Sequence, residues 1–145
     1  MILKYCTASL LFSILTVLPK ANAADMVSFI PSQYLGRFVA DNLDLSTFRN
    51  SLGPQRVIGE RTFKDLRMSP SILSENKAEF SISDWYYEIK VVKRGDINGD
   101  GIEDLIVCFV DDAAKGSYLT SESILLTRYS ESSLLVALRY DVDGC

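Results

Sequence analysis

The chain has 145 residues, 48% of them apolar and 23% charged, which is room for one domain with a modest core. Its 15 Lys and Arg against 19 Asp and Glu give a net charge of −4, and the basic surface that nucleic-acid binding rewards is missing. There is no histidine, which excludes a Ser-His-Asp hydrolase, a histidine-ligated zinc site and a histidine-activated catalytic cysteine.

Residues 1–23 read as a signal peptide. Lys4 supplies the positive start, Ala8 to Leu18 an apolar run, and Ala21-Asn22-Ala23 the small residues of a cleavage site after Ala23. The apolar run is shorter than the roughly 20 residues a bilayer span needs, and no second run follows, so the mature form is expected to lack a transmembrane span. An uncleaved anchor is the weaker reading, because the cleavage-site residues are good. Losing Lys4 and Lys20 leaves 13 basic residues against 19 acidic ones, a net charge near −6 on residues 24–145. The expectation is a small acidic domain, periplasmic or secreted, with no nucleic-acid partner.

Within 24–145, Ser32 after Pro31 is placed to cap a helix whose apolar stripe is Tyr34, Leu35, Phe38 and Val39. Asp44 or Ser46 can cap a shorter second helix carrying Leu45, Phe48 and Leu52, ended by Gly53 and Pro54. Val57-Ile58 reads as a strand fragment, Thr62 to Leu66 as one helical turn or the start of a strand, and Met68 to Lys77 as mostly loop by composition. From Ala78 the pattern has period two, with Trp85, Tyr87, Ile89 and Val91 on one face of a strand. Leu105 to Val110 is apolar on both faces, as a covered central strand would be. Tyr118 to Tyr129 gives a third strand, and Leu134, Val136, Leu138 and Tyr140 alternate along a last one. The fold class predicted is therefore α+β: one or two short N-terminal helices packed on an antiparallel β-meander of about four strands.

Residues 95–104 interrupt the strand pattern with Gly-Asp-Ile-Asn-Gly-Asp-Gly-Ile-Glu-Asp. Alternate residues of a tightly curled loop point inward together, so Asp96, Asn98 and Asp100 present oxygens to one point. The Ile102 carbonyl and Asp104, directly or through water, extend the set, and Gly101 permits the sharp turn. Such oxygen ligands suit Ca²⁺ as a structural cofactor. An acidic Asn-Gly/Asp-Gly hairpin turn would favour the same residues, but strict alternation of three ligand types exceeds what a turn needs. It is not an EF-hand, because Val107 stands where a bidentate Glu is required.

The stretch Gly95 to Val107 resembles the aspartate-rich calcium loops of FG-GAP and VCBS-like repeats, in which such a loop joins two strands of a hairpin. The resemblance implies ligand roles for Asp96, Asn98, Asp100 and Asp104. Those families build propellers from many copies, and one copy in this length excludes a propeller. More of the chain is similar to small bacterial exported proteins that carry one such loop in an α+β domain, a likeness that implies no activity.

The mature chain keeps two cysteines, Cys108 and Cys145, an even pair suited to an oxidising compartment. A disulfide between them closes a loop of about 36 residues and adds roughly 3–4 kcal/mol in the chain-entropy account. Three further clusters carry other readings. Asp111-Asp112 with Glu122 or the cation loop is an acid/base candidate, though acidic turn residues are more often simply solvated. Trp85-Tyr86-Tyr87 is a candidate carbohydrate or peptide platform, with Trp85 and Tyr87 expected in the core and only Tyr86 free, and Lys93-Arg94 is charge compensation for the loop. Together these point to a calcium-stabilised, disulfide-closed, non-enzymatic domain that binds a protein or envelope component. The alternatives are a metal-assisted envelope hydrolase and a small secreted hydrolase inhibitor.

Overall fold

The computed structural model describes residues 25–145, and the expected signal peptide lies outside them. Six strands run in chain order, each antiparallel to its neighbour: β1 (Ile72–Leu73), β2 (Lys77–Ile82), β3 (Trp85–Gly95), β4 (Asp104–Asp112), β5 (Leu119–Thr127) and β6 (Val136–Tyr140). Among the described residues there is a single α-helix, α1 (Leu35–Asn42), followed by a 3₁₀ turn over Leu45–Thr47. The fold is mainly β, which corrects the expected α+β class with its four-stranded meander.

The discrepancy has local causes. Ser83 and Asp84 form a tight turn that divides β2 from β3, with Ser83 at φ 53, a conformation usually signalled by Gly or Asn. β1 is a two-residue edge strand in a polar stretch that composition alone reads as loop. The second expected helix is only the 3₁₀ turn, which Asp44 caps by accepting from the Ser46 amide. Phe48 and Leu52 are buried as their stripe requires, but from irregular chain.

Alternation does set the sheet. Registers Phe80↔Tyr87, Ile89↔Phe109 and Val107↔Ile124 stack one apolar face across the sheet. That face makes the core with α1, which brings Leu35, Val39 and Ala40 onto β2 and β3. Phe63 stacks on Phe80 at 4.0 Å and Phe48 meets Phe109 edge-on at 5.1 Å. Ser32 does not cap α1. The helix starts from Tyr34 at φ 57, whose amide donates to the Glu75 carboxylate, while the Gly36 amide donates to the Glu75 carbonyl.

The opposite face of the sheet buries Ile106 and Leu125, outside the core cluster. The C-terminal tail lies here, with Gly144 against Ser123 and Ile106. Cys108 and Cys145 are at disulfide distance, with Cα atoms 5.3 Å apart. No described helix is long and apolar enough to cross a membrane.

Candidate metal centre

The loop between β3 and β4 is where the ligand-type residues fall. β3 ends at Gly95, paired with Asp104 at the start of β4, so residues 96–103 span the hairpin end. Gly99 and Gly101 have φ of 81° and 84°, and these left-handed turns coil the loop on itself.

The coil aims backbone N–H groups at the aspartates. The Asp96 carboxylate accepts from the amides of Gly99, Asp100 and Gly101 at 2.8 to 3.0 Å. Asp100 accepts from the Ile102 amide at 2.9 Å and from the Asn98 side-chain amide at 3.0 Å. Asp104 is fully buried, and its Oδ2 accepts from the amides of Ile97 and Asn98 at 3.0 and 3.2 Å. Its Oδ1 is buried without a hydrogen-bond partner among the described residues. A buried carboxylate oxygen left unpaired is costly, and a cation is one way of satisfying it.

The structure therefore places Asp96, Asn98, Asp100, Ile102 and Asp104 on one coil. It does not gather three or more acidic, cysteine or histidine side chains into a ligand cluster among the described residues. The carboxylates face backbone donors, each with lone pairs beyond those the N–H groups engage. Ile102 also forms a parallel bridge with Val27, made through the Gly101 carbonyl and the Glu103 amide, a pairing that leaves the Ile102 carbonyl out of both bonds.

Arg94 compensates charge within the loop, as its sequence context suggests, and does so at one residue, Glu103. It grips the buried Glu103 in a two-pronged pair, Nε to Oε1 at 2.6 Å and Nη2 to Oε2 at 2.8 Å. These bonds hold the Glu103 carboxyl below the usual range, against the opposing effect of burial and with help from the Ser28 hydroxyl. Arg94 also donates to the Pro31 carbonyl. The pair anchors residues 25–31, the leader into the fold, beside the loop. Sequence reading missed Glu103 and Ser28 because nothing in spacing distinguishes an inward Glu from its ligand-type neighbours.

The acid/base candidates are not assembled as a pair. Asp111 is buried and accepts from the Gly53 amide and the Trp85 indole N–H, at 2.6 and 2.5 Å, while Glu122 faces Arg49 at 3.8 Å. The aromatic triplet also differs from expectation. Tyr87 is buried as expected, but Trp85 is 38% exposed and the Tyr86 hydroxyl is engaged by Glu88. Trp85 opens the strand, so its ring overhangs the end of the core.

Comparisons with protein-family models, curated proteins and solved structures gave no match. The functional reading therefore rests on the chain's own residues.

Proposed function

We propose that the protein is an exported domain, stabilised by a structural calcium ion and closed by the Cys108–Cys145 disulfide, that binds a protein or envelope component without catalysing a reaction. The unpaired, fully buried Oδ1 of Asp104 carries the calcium part of this reading. It sits on a coil that already concentrates the carboxylates of Asp96 and Asp100 beside it in sequence. Their mutual repulsion is relieved by a divalent cation. Bound there, the ion would supply positive charge to Asp96, Asp100 and Asp104, and would take further oxygens from Asn98 and Ile102. The loop joins β3, the longest strand of the sheet, to β4, so fixing it fixes the hairpin they make.

Thermal melting of residues 24–145 in calcium and in chelator tests the site. At a calcium concentration about 100-fold above Kd, mass action adds about 2.7 kcal/mol, a rise in Tm on the order of 10 °C. Asp100→Ala is expected to abolish the difference. Asp104→Asn is expected to abolish it too, and to melt in chelator at or above the wild-type temperature, because it removes an unpaired buried charge. Equal melting of the wild type in both buffers would refute the calcium reading.

A further inference from the structure

At the other end of the β3–β4 hairpin, roughly 30 Å from the loop at about 3.3 Å per strand residue, lies a cleft of about 780 Å³. Its wall is made by Trp85 and Tyr118, 38% and 40% exposed, with ring centroids 6.0 Å apart and planes 34° from parallel. Both rings are held by their polar tips. The Trp85 indole N–H donates to Asp111, itself held by the Gly53 amide, and the Tyr118 hydroxyl donates to the Ser51 carbonyl at 3.0 Å. The groups that usually tie such side chains to a ligand are thus spent on the protein, and the ring faces are what remains on offer.

The rest of the lining is polar. Asn50 and Gln55 are exposed amides, each able to donate and accept. Arg56 donates to the Leu52 carbonyl at 2.9 Å and, more weakly, to the Arg49 carbonyl at 3.4 Å, and among the described residues no carboxylate forms an ion pair with it. Two fixed aromatic faces beside amides and a guanidinium match a molecule with an apolar face and a hydroxylated edge. A pyranose ring is such a molecule: its axial C–H groups lie on the negative ring face and its equatorial hydroxyls reach planar amides. A nucleic-acid strand would also stack, but its phosphates need more than the single basic residue lining this cleft. A purely apolar ligand would strand the amides and guanidinium.

We propose that this cleft binds a pyranose saccharide, with Trp85 and Tyr118 as the stacking wall, Asn50 and Gln55 as hydroxyl partners, and Arg56 favouring sugars that carry a carboxylate. The proposal deepens the binding-domain reading by naming the ligand class, and it does not depend on calcium.

Trp85 is the only tryptophan, so its emission reports the cleft directly. The test is binding of the mature protein to an array of neutral and carboxylated pyranose oligosaccharides, then titration of retained glycans by Trp85 fluorescence. Both are run in calcium and in chelator. A saturable emission change is expected in either buffer, weakened roughly tenfold by Tyr118→Leu. Asn50→Ala and Gln55→Ala, at exposed positions that leave the fold intact, are expected to weaken it severalfold with unchanged Tm. Retention of no glycan in either buffer would overturn the proposal. So would glycan affinity indifferent to Tyr118→Leu, Asn50→Ala and Gln55→Ala alike. A proline-rich peptide that shifts Trp85 emission where glycans do not would assign the cleft to a peptide instead. Failure of the calcium reading shows separately, as identical melting in the two buffers with glycan binding intact.

Discussion

Asp44 illustrates how single residues hold this fold. Its carboxylate is buried, accepts from the Ser46 amide and hydroxyl, and pairs with Arg61, while its own amide donates to the Leu135 carbonyl. Burial alone would raise its pKa, but the hydrogen bonds from Arg61 and Ser46 together win and hold it below the usual carboxylate range. A depressed folded pKa means stability that is present above the unfolded value, about 3.9, and lost as pH falls through the folded value. Asp44→Ala is expected to cost about 2 kcal/mol at pH 7 in urea melts. That cost should shrink below about pH 4, where the wild type loses the same interaction. Asp44 was legible in the sequence as a cap, because Asp before an apolar turn is a strong local signal. Its pairing with Arg61 was not, since the partner is distant in sequence and chosen by packing. The same holds for Asp104. Its ligand-type position was legible in the alternation of residues 96–104, whereas its complete burial and its unpaired oxygen depend on how the coil closes over β4.

At the scale of elements, α1 depends on a glycine. A Cβ on Gly36 would overlap the carbonyl oxygens of Lys77 and Ser74, backbone atoms that cannot swing aside. Gly36→Ala is therefore expected to destabilise by about 2 kcal/mol, a fall in Tm on the order of 8 °C, although alanine is the better helix former by about 1 kcal/mol. A rise in Tm would mean that the helix seats more loosely than this contact requires. Period-two alternation made β3 legible through its apolar face, and β4 was legible as a run apolar on both faces. β6 was legible only in extent, since Leu138 of its expected apolar face is exposed while Ala137 packs on the core. β1 and the Ser83-Asp84 turn were hidden for other reasons: Ile72-Leu73 are apolar but too short a pair to show alternation, and the turn lacks glycine or asparagine. The exposed Trp85 ring was hidden too, since strand parity assigns a face but does not say that the core stops short of the strand's first residue.

At the scale of the whole molecule, the sheet is fastened by a crosslink from its centre to the tail. Reduction of Cys108–Cys145, or Cys145→Ser, is expected to lower stability by roughly 3–4 kcal/mol in denaturant titrations under matched calcium. No loss on reduction would mean that the tail adds nothing in solution. This pairing was legible because residues 24–145 hold two cysteines, an even pair that leaves few options. The six-stranded order was not, because it turns on how the turn and edge strand divide a run that otherwise reads as continuous.

The crosslink also decides which part of the chain can bear tension. A pull applied between the leader and Cys145 would pass from β4 through the sulfurs and bypass every residue between the two cysteines, which are 37 positions apart. β5 and β6 would then sit in a covalent loop that carries no load, so the extensible length ends at Cys108. Force would fall first on the leader, where Val27 is bonded to Gly101 and Glu103 at the mouth of the coil. Any machine that threads the folded protein from that side meets the proposed metal loop before it meets the sheet.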